Sequence, residues 1–209
     1  MLWTSSLDKR DNRVVMSPPA TSSASTALRL PADHFVQFYQ DDTIVIDRVV
    51  RRTAAALRKG SSSVIIATAP HRLEIEARLA RLAIHNKANF DARYIALDAA
   101  ETLAQFMVDG WPDETRFHEV VGGCVAEATA RSADRNVTAF GEMVALLCAD
   151  GKAAAAIRLE QLWNDLGSRF SFSLFCAYPL SLFANDREAH DLLQVCAQHD
   201  LTIPAEHSW

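Results

Sequence analysis

Apolar residues recur along the chain with spacings that predict an alternation of helices and buried strands. The strongest helical pattern lies in residues 140–166, FGEMVALLCADGKAAAAIRLEQLWNDL, which run from the end of a strand into a helix. Its apolar stripe follows the spacing i, i+3, i+4 and i+7 and consists of Leu159, Leu162, Trp163 and Leu166. The intervening positions are polar and are expected to face solvent: Arg158, Glu160, Gln161, Asn164 and Asp165. This pattern is typical of a helix packed on a sheet.

Short continuous apolar runs predict strands buried on both faces of a parallel sheet. The clearest is VIIATA at residues 64–69, and HFVQFY at 34–39 is either a short buried strand or an extended segment laid into the core. Further strands are expected at 94–97, 136–140, 170–177 and, at the sheet edge, 201–203. Helical patterns separate them at 41–59, 71–85, 99–108, from 112 onward, and 186–198. The alternation predicts a three-layer α/β fold with a mostly parallel central sheet flanked by helices.

Composition places this pattern in one globular domain. The chain has 209 residues, 49% of them hydrophobic and 22% charged, with a net charge of -5. That balance argues against a basic nucleic-acid surface, and no apolar run is long enough to span a membrane. Residues 1–30, rich in Ser, Thr, Ala and Pro, predict a flexible leader before a domain at 31–209. We expect a cytoplasmic protein, because the start lacks the apolar core of a secretory signal.

The four cysteines do not form a recognisable motif. Cys124, Cys148, Cys176 and Cys196 are widely spaced, with no CxxC and no histidine at metal-ligand spacing. We therefore expect no metal site and no disulfide framework, with each cysteine buried as a small hydrophobe. A redox sensor built on Cys176 is the alternative.

The connection after VIIATA is where a phosphate-binding loop would lie. A Walker A loop needs glycines and a Lys, whereas residues 67–72 contain neither, and Pro70 removes a backbone donor. Ordinary ATP hydrolysis is therefore disfavoured. Arg72 and the amides at the start of the next helix could hold a small anion. In the alternative, His71 and Arg72 are an exposed helix cap.

Polar side chains at the strand ends suggest a ligand cleft, because ligands of open α/β sheets bind there. Asp98 and Glu142 either face one cleft as paired carboxylates or cap the helices that follow them. Tyr178, beside Pro179, either lines that cleft or turns the chain. His34 and Tyr39, at the entrance to the domain, could hydrogen-bond a ligand, with core packing as the alternative for Tyr39, and His199 shows no partner at ligand spacing. The full set of candidate ligand-binding residues is His34, Tyr39, His71, Arg72, Asp98, Gly141, Glu142 and Tyr178.

Six segments together resemble one family of sensory domains. They are HFVQFYQDD, VIIATAPHR, YIALDAAETLAQFMVDGWPD, AFGEMVALLCADGKAAAAIRLEQLWNDL, FSLFCAYPLSLF and CAQHDLTIP. In order and spacing they are similar to the MEDS domain, which is named for the dichloromethane regulator of methylotrophs and for methanogen proteins. The resemblance extends from about His34 to Pro204, and the FGEM, LEQLWNDL and CAYP strings are its most specific portion.

The resemblance implies a RecA-like, KaiC-related P-loop-type core with degenerate Walker motifs. On this interpretation residues 70–72 replace the phosphate loop, Asp98 follows the second core strand, and Glu142 lies near the Walker B strand end. The family is used in bacterial signal transduction as a proposed sensor of small molecules, often attached to histidine kinases or transcription regulators. This chain shows neither a kinase nor a helix-turn-helix, so we expect it to act through a partner protein.

Three functional hypotheses follow. The first is a non-catalytic sensory module that binds a small organic ligand or a nucleotide and regulates a histidine kinase or transcription regulator. The second is a RecA-like ATP-hydrolysing enzyme with an unorthodox phosphate loop, and the third is a pure interaction module. No cofactor is required by the first, although a degenerate nucleotide site fits it. Ligand, partner and homo-oligomeric state stay open.

Overall fold

The computed structural model describes residues 5–7, 14–16, 34–82, 92–184 and 186–205. The predicted leader lies mostly outside these residues, apart from two strands that pair antiparallel. In chain order the strands are β1 (Ser5–Leu7), β2 (Val14–Met16), β3 (His34–Tyr39), β4 (Ser62–Ala67), β5 (Tyr94–Asp98), β6 (Met107–Val108), β7 (Trp111–Pro112), β8 (Val137–Gly141), β9 (Phe172–Pro179) and β10 (Leu201–Ile203). The α-helices are α1 (Asp42–Lys59), α2 (Ala69–Leu82), α3 (Ala99–Phe106), α4 (Glu114–Phe117), α5 (Gly123–Arg131), α6 (Met143–Ala149), α7 (Ala153–Gly167) and α8 (Asp186–Cys196), with a π-helical segment (His118–Gly122) between α4 and α5 and a 3-10 helix (Leu180–Phe183) after β9.

The central sheet has six strands in the order β10-β3-β9-β8-β4-β5. Every neighbouring pair in it is parallel. All six residues of β3 and of β4 are buried, as continuous apolar runs predict for strands covered on both faces. The predicted three-layer α/β fold with a mostly parallel sheet is therefore confirmed.

Two apolar cores lie on opposite faces of the sheet. Alternate residues of β9 divide between them, because successive side chains of a strand point to opposite faces. Phe175 and Ala177 join the core beneath α1 and α2, whereas Cys176 and Tyr178 join the core beneath α3 to α8. A side chain's position along β9 therefore decides which of the two helical layers it can reach.

The chain changes direction between β4 and its neighbour β8. From β4 the chain passes through α2 to β5 on one side, and from β8 it passes through α6 and α7 to β9 on the other. Such a topological switch point opens a crevice at the carboxyl ends of the two strands. In this fold the crevice lies between Ala67 and Gly141, where the two strands end.

The helix boundaries follow the local sequence. Helix α1 begins as predicted, with the carboxylate of Asp41 accepting a hydrogen bond from the Thr43 amide at 2.8 Å. It ends at Gly60, whose φ of 93° is a left-handed conformation that glycine adopts without strain. None of the helices in the described part of the chain is both long and apolar enough to cross a membrane.

Several predicted boundaries are wrong. Residues 107 and 108 were expected in a helix but form β6, which pairs with β7 through a tight turn at Asp109 and Gly110. The pattern in 140–166 is two helices, α6 and α7, because Gly151 has a φ of 71° and interrupts the first. Tyr178 and Pro179 belong to β9 and not to a turn. Residues 83–85 of the helix predicted at 71–85 lie outside the described residues.

Candidate functional site

Glu142 occupies the crevice at the switch point. It follows β8 directly, and its amide donates to the carbonyl of Ile66 in β4 at 3.0 Å. Its carboxylate Oε2 accepts a hydrogen bond at 2.7 Å from the amide of Thr68, the residue that precedes α2. Although Glu142 stands at the N-cap position of α6, its side chain does not cap that helix. The carboxylate instead ties the end of β8 to the start of α2.

His71 completes this arrangement from the first turn of α2. Its Nδ1 makes a short hydrogen bond with Glu142 Oε1, and its Nε2 lies 3.4 Å from the carboxylate of Asp42 at the start of α1. The hydrogen bond to Glu142 raises the pKa of His71 to about 9, against the opposing effect of burial. At neutral pH this site therefore holds an imidazolium between two carboxylates. We call Asp42, Thr68, His71 and Glu142 the edge cluster.

A cleft of about 700 Å³ opens beside the edge cluster. It lies where β3 and β9 end, and its lining consists of Tyr39, Gln40, Asp42, Pro179, Leu180, Ser181, Phe183 and Ala184. Burial, followed by the charges of Glu142 and Asp42, raises the pKa of Tyr39, so its hydroxyl stays protonated. None of the described lining residues is a Lys or an Arg. The cleft therefore combines apolar walls with a carboxylate at its rim.

Of the predicted residues only Tyr39 lines this cleft, and three others contribute side chains neither to the cleft nor to the edge cluster. Asp98 caps α3, accepting hydrogen bonds from the amides of Ala100 and Glu101 at 2.9 and 3.1 Å. Arg72 lies 3.8 Å from Glu76 on its own helix. Gly141 is the last residue of β8 and has no side chain to offer. Of the two interpretations left open for Asp98, the structure shows the helix cap.

The remaining two predicted residues, His34 and Tyr178, lie in the other core, around Glu160 of α7. Glu160 is fully buried, so the prediction that it faces solvent is wrong. Its Oε1 accepts a hydrogen bond from the Tyr178 hydroxyl at 2.7 Å, and its Oε2 lies 3.2 Å from His34 Nε2. The candidate ligand-binding residues therefore do not all face one cleft. Five of the predicted residues are divided between two sites on different faces of the sheet, the other three belong to neither, and the role of all eight in ligand binding stays a prediction.

Cys176 and His199 complete the surroundings of Glu160. The Cys176 thiol donates to Glu160 Oε2 at 3.4 Å, and Nε2 of His199 lies 3.4 Å from Oε1. Burial by itself raises the pKa of Glu160, but the two neighbouring histidines outweigh it and hold that pKa well below its ordinary range. The pKa of the Cys176 thiol is raised by burial and by Glu160. We call His34, Glu160, Cys176 and His199 the buried cluster.

Sequence reasoning missed Glu160 and His199 as members of a site. One signal was present for Glu160: it lies four residues after Ala156 and three before Trp163, both of which are buried on the same face of α7. The contact between His199 and Glu160 had no local signal, because α7 and the segment before β10 meet only in the folded chain.

The protein belongs to the class of open α/β proteins with an all-parallel central sheet, and it carries a carboxylate in the crevice at the switch point. At the start of α2, where a phosphate loop would lie, the Thr68 amide donates its hydrogen bond to Glu142. In a comparison with known families, the model of the MEDS family, described as MEthanogen/methylotroph, DcmR Sensory domain, matches residues 33–200. The chain therefore belongs to this family. It is therefore a sensory domain by family. No curated protein matches the chain.

Proposed function

We propose that this domain senses a small neutral or cationic organic molecule in the cleft beside the edge cluster. The observation that carries the proposal is the lining of that cleft, which offers the apolar side chains of Leu180 and Phe183 together with the carboxylate of Asp42. Pockets for small ligands are commonly apolar with a few polar groups that fix orientation. A phosphorylated ligand fits poorly, because the described lining offers no cation to balance it.

A non-catalytic role is supported by the same contacts. The Thr68 amide donates to Glu142, so it is not free to bind a phosphate oxygen. His71 and Glu142 are likewise paired with each other. These pairings engage polar groups that phosphate binding would need, and so support a binding role.

A route from ligand to partner passes through α1 and α2. Asp42 lines the cleft and also lies 3.4 Å from His71, so a ligand that engages Asp42 competes for that ion pair. Two residues beyond His71, Leu73 is 62% exposed on α2. A ligand that prefers one arrangement of His71 would shift the population of α2 positions and so change the surface offered to a partner such as a kinase or regulator.

A ligand screen tests this proposal. Small alcohols, amines, halocarbons, carboxylic acids and nucleotides are added to the full chain, and thermal unfolding is followed. A ligand at 100 times its Kd stabilises the folded state by about 2.7 kcal/mol, which shifts the Tm by several degrees. Hydrogen exchange of the bound protein should slow at the first turn of α2.

Ala184→Trp is the variant that fills the cleft without removing a contact, and Leu193→Ala on the exposed face of α8 is its control. The ligand shift should disappear in the first variant and persist in the second. Stabilisation by nucleotides alone, or a shift that survives Ala184→Trp, would refute the proposed site.

A further inference from the structure

We propose that the buried cluster is a four-ligand site for a divalent transition metal ion, with Zn²⁺ the best fit. The ligand atoms would be Nε2 of His34, Nε2 of His199, a carboxylate oxygen of Glu160 and Sγ of Cys176. These four atoms lie within 4.8 Å of one another. The site is separate from the ligand cleft and does not depend on the sensory function proposed above.

The spacing of the atoms matches tetrahedral coordination. His34 Nε2, Glu160 Oε2 and Cys176 Sγ form a triangle whose edges measure 3.2, 3.4 and 3.4 Å. A tetrahedral zinc ion, with bonds of about 2.0–2.1 Å to nitrogen or oxygen and about 2.3 Å to sulfur, separates its ligand atoms by about 3.3–3.6 Å. His199 approaches the carboxylate from its other oxygen, at 3.4 Å. The triangle therefore needs almost no rearrangement to receive the ion.

Hydrogen bonds behind the two histidines orient both rings for metal binding. Nδ1 of His199 lies 2.7 Å from the carbonyl of Val195, which can only accept, so Nδ1 carries the proton. Asn164 donates its amide nitrogen to the carbonyl of Gln198 at 3.0 Å, which leaves its oxygen to accept from Nδ1 of His34 at 2.8 Å. In the neutral rings, both Nε2 atoms consequently present a lone pair to the cluster. Metal-binding histidines are held in this way.

Nε2 of His199 gives a further indication. The His199 side chain is fully buried, and among the described residues this nitrogen makes no hydrogen bond, although it lies 3.4 Å from Glu160 Oε1 in an ion-pair contact. A buried polar atom without a hydrogen bond is costly, and coordination to a metal would satisfy it. The atom faces Glu160, on the side where the other ligands meet.

The charges also balance. When Cys176 Sγ bonds to the ion, the thiol proton leaves to solvent, so the site contains one thiolate, one carboxylate and two neutral imidazoles. Their two negative charges cancel those of a divalent cation, and the filled site has no net charge. A closed set of four protein ligands is typical of structural zinc, and His, Cys and Glu side chains are all ligands that zinc accepts.

The ligands come from four separate parts of the fold: the start of β3, the middle of α7, the centre of β9 and the residue pair that precedes β10. A bound ion would join α7 to the sheet and fasten the C-terminal segment. The surface lies close by, because His34 and Asp200 line an external groove of about 420 Å³.

The test uses the full chain without a histidine tag. Elemental analysis after dialysis should find one equivalent of transition metal per chain. After the metal is removed and Co²⁺ is added, a sulfur-to-cobalt charge-transfer band and tetrahedral visible bands should appear, and added Zn²⁺ should abolish them and raise the Tm. Because the charge-transfer band requires a cysteine ligand, the wild-type spectrum alone tests the site even where a variant fails to fold.

Two matched pairs assign the ligands. Cys176→Ser should remove the charge-transfer band, whereas Cys196→Ser should keep it. His199→Gln should weaken Co²⁺ binding at least tenfold, whereas His190→Gln, on the exposed side of α8, should leave it unchanged. A folded, metal-free protein that shows no cobalt–thiolate band and no change of Tm with Zn²⁺ would overturn the proposal. The cluster would then be a buried hydrogen-bonded ion pair.

Discussion

The edge cluster and the buried cluster both bring histidine to a glutamate, but they differ in what surrounds the pair. In the edge cluster His71 lies between Glu142 and Asp42, and the Asp42 side chain is 65% exposed. In the buried cluster, Glu160 and both of its histidines are shielded from solvent. The contact between His71 and Asp42 can exchange with water or a ligand, whereas the contacts of Glu160 cannot.

This difference in exposure decides which contacts can be broken at a small energetic cost and which cannot. A carboxylate near solvent loses little when a partner leaves, because water replaces it. A carboxylate in an apolar interior must keep its partners, because an unpaired buried charge is strongly destabilising. The edge cluster is therefore suited to respond to a ligand, whereas the buried cluster is suited to hold the fold in one arrangement.

The largest expected effect comes from emptying the buried cluster. Glu160→Ala removes the carboxylate on which His34, His199 and Tyr178 converge, and leaves their polar atoms buried without it. We expect the free energy of unfolding to fall by about 3–5 kcal/mol, the cost of breaking a buried ion pair. Urea denaturation followed by circular dichroism measures this loss.

Glu160→Gln is the matched control, because it keeps the shape of the side chain and one oxygen that accepts hydrogen bonds. Its cost should be smaller than that of Glu160→Ala. Equal stability of the alanine variant and the wild type would contradict the view that the buried cluster holds the fold together.

A smaller loss is expected at the edge cluster. Glu142→Ala deprives the Thr68 amide and His71 of their acceptor, but both lie where solvent can reach them in part. We expect a cost of about 1–3 kcal/mol by the same denaturation measurement. If Glu142→Ala costs as much as Glu160→Ala, the proposed contrast between the two clusters fails.

Most of the fold could be predicted from the sequence, because strands buried on both faces of a sheet require continuous apolar runs. The apolar run at 64–69, most of which forms β4, and the apolar stripe of α7 each predict one kind of element. The helix boundary at Phe106 was not readable, because the turn at 109–110 changes the backbone direction after two apolar residues that fit either element.

The two clusters differ in how much of each could be predicted from the sequence. Glu142 follows its strand directly, so its place at the sheet edge could be predicted. Glu160 was assigned to solvent because charge is the stronger local signal, and its burial is permitted only by partners distant in sequence, His34 and His199. Contacts between residues that are distant in sequence produce no periodic pattern from which they could be predicted.

The smallest expected effect is a pH dependence of stability at the edge cluster. The pKa of His71 is about 9 in the folded protein, above its ordinary value of about 6.5, so the folded state binds the extra proton between these values. His71 therefore stabilises the fold fully below about pH 6.5, and this contribution is lost as the pH rises to 9. Since His71 itself is only partly buried and its second partner, Asp42, is exposed, solvent screens much of this contribution, and we expect a change of only about 1 kcal/mol.

The measurement compares wild type with His71→Gln by urea denaturation from pH 6 to pH 10. The difference in the free energy of unfolding should shrink by about 1 kcal/mol across that range, because only the wild type loses a proton from His71. In a Glu142→Gln background the same comparison should be nearly flat, since the carboxylate that raises the pKa is gone. A difference that grows with pH, or one that keeps its slope without Glu142, would mean that the His71 proton is not held by the edge cluster, and the proposed route from Asp42 to α2 would lose its charge-sensitive step.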